Sequence, residues 1–328
     1  MAIPDRVHFC WIGASLPWAY VFAVLSAAER SELGEIVLHH TDPLEAGPKL
    51  RALERCPRVQ VSRLDPLDCL IRAGRASGAG EELATLYREI ERPAVKADLL
   101  RVALLYLYGG VYLDLDTVTT ASLRPLLESP QFVGCERVVW PHFVRSSRSP
   151  ALWCRALALD VLRKGMRRAP GGWALFRRVE SLYFCGINNA VMGAEANSRL
   201  CALYLRAMVA LPAHRRLQLY ALGPDLLQEV VDRFAADDLT IALPHVFYPL
   251  GPEISEHWFR MSRRVRLEAV LSRETRVVHW YASVRTRSKV AEIDPAYVRK
   301  HRERQLYSAL VCACISRLPN EAPSNEAP

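Results

Sequence analysis

Lys96-Ala97-Asp98-Leu99-Leu100-Arg101 leads through Tyr108-Gly109-Gly110 into Val111-Tyr112-Leu113-Asp114-Leu115-Asp116. Ala94 to Tyr108 is dense in good helix formers, and the glycine pair closes it, because glycine tolerates the left-handed conformation at a helix C-terminus. Val111 to Leu115 reads as a strand that follows at once. Side chains alternate faces along a strand, so Val111, Leu113 and Leu115 share an apolar face while Tyr112, Asp114 and Asp116 share the other. Two ionised carboxylates held this close repel unless a cation sits beside them. A hard divalent ion with oxygen ligands answers that repulsion, and Mn²⁺ or Mg²⁺ leaves positions open for water and phosphate. Ligands of open α/β sheets bind at the carboxyl ends of strands, where this strand stops.

Asp-x-Asp also occurs as two solvated acids, and the preceding helix bears on which reading holds. Asp98 and Arg101 are three apart and share a face of an otherwise apolar helix. They read either as a surface ion pair of little energetic worth or as a carboxylate and guanidinium that fix sugar hydroxyls. Upstream, Ile3 to Ile12 reads as a strand ending at Gly13, Pro17 to Ser31 as a helix, Glu35 to His39 and Val59 to Val61 as further strands. This alternation predicts an α/β sheet with parallel character. Gly74 to Gly80 is expected as a surface loop. Downstream, Pro150 to Arg163, Ala194 to Leu211 and Arg299 to Ile315 read as helices, and Thr240 to Leu243 and Val277 to Trp280 as strands.

The segment Lys96–Arg101, Tyr108-Gly109-Gly110 and Tyr112–Asp116 resembles the DXD-containing sugar-binding region of glycosyltransferase family 32, and is similar to that of the large clostridial glucosylating toxins. Ile3-Pro4 followed by His8-Phe9-Cys10-Trp11-Ile12-Gly13 resembles the family's opening strand, with Cys10 where an aliphatic residue is usual. Looser likenesses lie at Ile187-Asn188-Asn189-Ala190, Leu222-Gly223-Pro224 and Val278-His279-Trp280-Tyr281. The resemblance implies a GT-A fold: a mixed, mostly parallel nucleotide-binding sheet flanked by helices, with helical additions on the acceptor side. It implies one domain over 1–318, with 1–120 binding the nucleotide sugar and 121–318 forming the acceptor side and C-terminal part. The proline-rich 319–328 reads as a disordered tail.

By the same resemblance, Trp11 stacks on the donor base with Ile12 beside it, and Tyr112 and Asp114 contact ribose and sugar. Trp11 reads equally as a core residue, since alternation groups it with Val7 and Phe9. Asp98 and Arg101 hold sugar hydroxyls, Asp116 binds the metal with Asp114, and His279 is the third ligand or a diphosphate contact, with Ser283 its competitor. Asn188 and Asn189 point to opposite sides, so one of them reaches the sugar or leaving diphosphate. Trp280 and Arg285 belong to the segment that closes over the diphosphate. The implied donor is a nucleotide sugar, a UDP-sugar ahead of GDP-mannose, and the implied reaction retains anomeric configuration. No carboxylate announces itself as a nucleophile for double displacement, which favours a front-face route.

The 328 residues are 51% hydrophobic and 24% charged, enough for a large core and too apolar for wholesale disorder. Nine cysteines without a Cys-x-x-Cys pair read as reduced thiols rather than a zinc site or disulfide framework. Met1 to Arg6 lacks the layout of a signal peptide, and Leu16 to Ala28 is too short for a span of about 20 residues. The expectation is a cytoplasmic chain, at most peripheral at the inner face of a membrane. The formal net charge of +8 favours anionic partners. Basic clusters lie at Arg163-Lys164, Arg167-Arg168 and Arg177-Arg178, at Arg260 to Arg266, and at Arg285 to Lys289. Arg299 to Ile315, basic early and apolar late, is the candidate for resting on a membrane. The functional expectation is a metal-dependent hexosyltransferase acting on a glycan, glycolipid or other hydroxyl acceptor in surface polysaccharide or glycoconjugate synthesis. A protein-modifying effector and a non-catalytic nucleic-acid or membrane binder are the alternatives. The last ranks lowest, because its basic clusters lack interleaved aromatics.

Overall fold

The computed structural model describes residues 3–216, 218, 220–234, 239–284 and 286–320. Arg285 and all of the expected tail beyond Asn320 lie outside the described residues. Seven strands form one sheet in the order β3-β2-β1-β4-β7-β6-β8: β1 is Arg6–Trp11, β2 Glu35–His40, β3 Val59–Arg63, β4 Gly110–Leu113, β6 Gln131–Val138, β7 Phe184–Ala194 and β8 Thr240–Ala242. β5 (Thr117–Thr119) and β9 (Val277–His279) pair in a small second sheet. β3, β2, β1 and β4 run parallel, while β7 is antiparallel to both its neighbours, β4 and β6. The α/β expectation is thus met by a mixed, mostly parallel sheet flanked by helices.

Both faces of β1 are buried, which is why it reads as an almost continuous apolar run. Val7, Phe9, Val111 and Leu113 pack with helix Trp18–Arg30 in one core, whereas Cys10 and Tyr112 join helix Pro93–Tyr108 in a second. Helix Pro93–Tyr108 is buried without interruption from Leu99 to Tyr106, Arg101 included. A helix apolar on nearly all sides belongs between layers, and this one lies between β1 on one side and helices Pro66–Ser77 and Arg199–Ala210 on the other.

Several sequence expectations need correction. The glycine-rich stretch at 74–80 is half helix: Gly74 lies within Pro66–Ser77, and Gly78 supplies the left-handed C-cap at φ 78°. The helix expected from Ala194 starts at Arg199, capped by the Ser198 side chain, because Ala194 still pairs in β7. The expected C-terminal helix is two, Pro295–His301 and Leu306–Cys314, interrupted where Gln305 forms a bridge with Met261. Its apolar residues Leu306, Leu310, Val311 and Ile315 are buried against the chain itself, so they are not free to lie on a membrane. No helix among the described residues is long and apolar enough to cross one.

Candidate active site

β4 stops at Leu113, and Leu115 and Asp116 form a turn before β5. Strand alternation therefore does not bring Asp114 and Asp116 together; the turn does. Its geometry is held by Asp114 N–H donating to the Ala190 carbonyl at 2.8 Å and Thr117 Oγ1 donating to the Asp114 carbonyl at 2.7 Å. Antiparallel pairing of β5 with β9 sets Thr117 opposite His279 and brings His279 Nε2 to 2.9 Å from Asp116 Oδ1. One ligand atom from each of Asp114, Asp116 and His279 falls within 4.8 Å of the other two.

The chain then turns sharply. Tyr281 adopts φ 60°, a left-handed conformation that costs a non-glycine residue roughly 1–3 kcal/mol. The Ala282 N–H, the next backbone donor, reaches Asp116 Oδ2 at 2.7 Å. The Tyr281 hydroxyl donates to Glu136 Oε2 at 2.5 Å, and its ring centroid lies 4.0 Å from that of His279. Glu136, on β6, is a buried carboxylate that sequence reasoning missed.

Behind the acidic pair stands Arg101, which is not part of a surface ion pair. Its side chain is 4% exposed, and it donates to Asp114 Oδ1 at 2.7 Å and to the Asn189 carbonyl, with Asp98 Oδ1 at 3.3 Å. Asn189 Nδ2 donates to Asp98 Oδ1 at 2.8 Å, while Asn188 Oδ1 accepts from Ala190 N–H at 2.7 Å and from the Tyr248 hydroxyl at 3.3 Å. The neighbouring asparagines thus serve opposite faces of β7. Gly223 backs onto this cluster: a Cβ there would lie 2.9 Å from Asp98 Oδ2 and 3.2 Å from Asn189 Nδ2. That close approach explains the glycine before helix Pro224–Asp232.

The charges follow from these contacts. Burial pushes the Asp114 carboxyl up to about 6, and Asp116 adds to the rise while Arg101 opposes it. Burial also works against the charged form of Asp116, but His279 and the Ala282 N–H outweigh it and hold that carboxyl below its usual range. Asp116 in turn raises His279 against the effect of burial. Among the described residues, four carboxylates (Asp98, Asp114, Asp116 and Glu136) are answered at close range by one guanidinium and one imidazole. Two carboxylates and an imidazole with a local excess of negative charge suit a divalent cation such as Mn²⁺ or Mg²⁺.

Other expected residues are distributed unevenly. Trp11 is half-buried at the end of β1, its ring 5.3 Å from Tyr20, and Ile12 beside it is half-buried too. Tyr112 is 1% exposed beneath the Arg101 guanidinium, 4.9 Å from its ring, and so supports Arg101 rather than facing a ligand. Trp280 is fully buried, packed on Phe259 and Tyr307 at 5.5 and 5.2 Å, so it anchors the segment from below instead of closing over a diphosphate. Its backbone N–H donates to the Asp116 carbonyl at 3.0 Å. Ser283 is exposed. Arg287 is exposed as well, and its charge reaches Tyr20, which also feels Asp116.

Residues 73–133 match the family described as the glycosyltransferase sugar-binding region containing the DXD motif, a segment that includes Asp98, Arg101, Asp114 and Asp116. That match marks the chain as an enzyme, a glycosyltransferase. No curated protein matches the chain. Among solved structures it is similar to the apo form of the WbbM bifunctional glycosyltransferase, at 14% identity over 97% of this chain and 50% of that one, with a TM-score of 0.48. It is similar to apo mouse xyloside xylosyltransferase 1 at 14% identity, over 84% of this chain and 96% of that one, with a TM-score of 0.46. Similarity to the PaToxG glycosyltransferase is also 14%, over 71% and 69% of the two chains, with a TM-score of 0.43.

Proposed function

We propose that this glycosyltransferase is a retaining, divalent-metal-dependent hexosyltransferase. It takes its sugar from a nucleotide donor, a UDP-sugar ahead of GDP-mannose, and passes it to a glycan or glycolipid hydroxyl in surface polysaccharide or glycoconjugate synthesis in the cytoplasm. Residues 1–318 act as one catalytic unit in this reading. The observation that carries it is the convergence of Asp114, Asp116 and His279 within 4.8 Å, just past the carboxyl end of β4.

Asp114, Asp116 and His279 would hold a divalent cation, which would supply charge neutralisation for the leaving diphosphate. The protein's own groups do the rest. Arg101 keeps Asp114 oriented and ionised, Asp98 and Asn189 present polar atoms to sugar hydroxyls, and Trp11 offers a ring for the base. Arg285 and Arg287 follow the His279 segment as diphosphate contacts. In the front-face route the acceptor oxygen bonds to the anomeric carbon from the side the diphosphate leaves, and its proton passes to a leaving phosphate oxygen. Trapping a covalent sugar adduct on Glu136 or another carboxylate overturns that route.

The test is donor hydrolysis with Mn²⁺ or Mg²⁺, repeated with chelator and with Asp116→Ala. Turnover is expected only for the metal-loaded native protein, and full turnover by the variant defeats the proposal. A thermal-shift panel of nucleotide sugars then names the donor, since ligand binding raises stability by mass action.

A further inference from the structure

The positive charge of this chain is concentrated in one place. Residues 142–182, between β6 and β7, hold nine lysines and arginines against two acids, so seven of the formal +8 fall within 41 residues. The segment folds into helices His142–Arg145, Pro150–Arg168 and Gly172–Val179. It also carries seven of the eleven exposed large hydrophobic side chains among the described residues. An excess of both kinds on one insertion is not what a solvated helix needs.

Helix Pro150–Arg168 shows how the two are arranged. It buries Ala156, Leu159, Asp160 and Met166 against the protein. On another face Trp153, Leu157 and Val161 recur every four residues and are 40%, 53% and 70% exposed. The row continues into Lys164 and Arg168, both exposed. An open apolar row of this kind marks an interaction surface. With a tryptophan at one end and basic residues at the other, it has the composition of a helix lying in a bilayer interface.

Charge decides between occupants. Arg145, Arg163 and Arg167 are answered by Asp225, Glu253 and Glu256 from outside the segment, which still leaves the surface net positive, so a second copy of it would meet like-charge repulsion. A bilayer with anionic headgroups satisfies the basic residues and the apolar row together. Position points the same way. Val138 pairs with Phe184 where the segment leaves and re-enters the sheet, and β7 runs antiparallel to β4 with Leu113 opposite Val191. The insertion therefore rises from the end of the sheet at which β4 delivers Asp114.

We propose that the helical segment between β6 and β7 docks the protein on an anionic lipid surface through Trp153, Leu157 and Val161, assisted by Lys164, Arg168 and their basic neighbours. On the reading given under Proposed function, this presents the site to an acceptor hydroxyl carried by a membrane lipid. The docking itself does not depend on that chemistry.

The experiment is co-sedimentation of the full chain with phosphatidylcholine vesicles, with and without phosphatidylglycerol, at low and high salt. Native protein is expected to sediment with anionic vesicles and to be released by salt. Arg168→Glu should weaken binding by about fivefold or more, and the double variant Leu157→Glu/Val161→Glu should abolish it while donor hydrolysis in solution stays unchanged. Asp116→Ala, silent in hydrolysis, should sediment like the native protein, which separates a failure of docking from a failure of the enzymatic reading. Equal binding to neutral vesicles, no binding, or a concentration-dependent dimer dissolved by Leu157→Glu/Val161→Glu each overturns the proposal.

Discussion

Helix Pro93–Tyr108 and helix Pro150–Arg168 are of similar length, and they treat their side chains in opposite ways. The first buries eight consecutive residues and, among them, a guanidinium answered by two carboxylates and a backbone carbonyl. The second leaves Leu157 and Val161 in solvent, with Lys164 and Arg168 exposed at the end of the same row. In the first, charge is placed where the fold pays for it in desolvation and recovers it through fixed geometry. In the second, Arg163 and Arg167 are tied to Glu253 and Glu256, but the apolar row and the exposed Arg168 are not needed by the fold and remain available for something outside it.

The contrast breaks most visibly if Arg101 is removed. Arg101→Met leaves Asp98 and Asp114 buried without their cation, and breaking a buried pair in this way costs about 3–5 kcal/mol. Chemical denaturation should show the loss. Leu104→Ala, one turn along and 0% exposed, should cost about 2–5 kcal/mol by leaving a cavity. A near-neutral Arg101→Met would mean that the network is looser than its distances imply.

Acid should act on the parallel half of the sheet. His8 Nε2 donates to the Gly109 carbonyl at 2.9 Å, so His8 Nδ1 accepts from His39 Nε2, also at 2.9 Å. Burial lowers His8 to about 4 and His39 to about 3, and both stay neutral in the fold. The unfolded chain takes up protons from pH 6.5 downward while the folded one does not, so stability is full above 6.5 and falls as pH drops toward 4. The shift of His8 alone corresponds to about 3 kcal/mol. Denaturant midpoints measured across that window should decline, and His8→Gln should flatten the decline. A midpoint independent of pH between 7 and 4 would show that the pair is protonated or open to water.

Asp116→Ala tests the site instead of the fold. Loss of a group that anchors a leaving diphosphate should cost ~100-fold or more in donor turnover, with a moderate drop in thermal midpoint, because His279 and the Ala282 N–H lose their partner. Retained turnover, whatever the change in midpoint, would reassign Asp116 to structure.

How much of this the sequence discloses differs by region for physical reasons. Asp114, Asp116, Asp98 and Arg101 sit within one short segment, where glycine punctuation and helical spacing are strong local signals. Their meeting could be read there, though by way of a strand face when the chain in fact uses a turn. His279 is more than 160 residues away, and only the pairing of β5 with β9 brings it in. Glu136 shows the opposite case. It lies in a run of β-formers, Phe132 to Val139, whose alternation is blurred because β6 and β7 are buried on both faces. A lone acid inside such a run was the available signal. Tyr112 and Trp280 are expected at the ligand because their segments resemble the family's sugar-contacting and diphosphate-closing segments, yet their depth follows from tertiary packing that no spacing reports.

The smallest expected effect bears most directly on the contrast between the helices. Trp153, Leu157 and Val161 follow the same four-residue spacing that would mark a core face, and Ala156, Leu159 and Asp160 mark another, so periodicity alone cannot say which row meets the protein. Exposure can: Leu157 is 53% open and Leu104 is closed. Truncation at a surface position away from special features changes stability by no more than about 0.5 kcal/mol. Leu157→Ser should therefore leave the denaturant midpoint within that margin of the native value, against the several-fold larger cost at Leu104. If Leu157→Ser instead costs as much as a core truncation, the helix packs against its own domain, and the apolar row loses its claim to an outside partner.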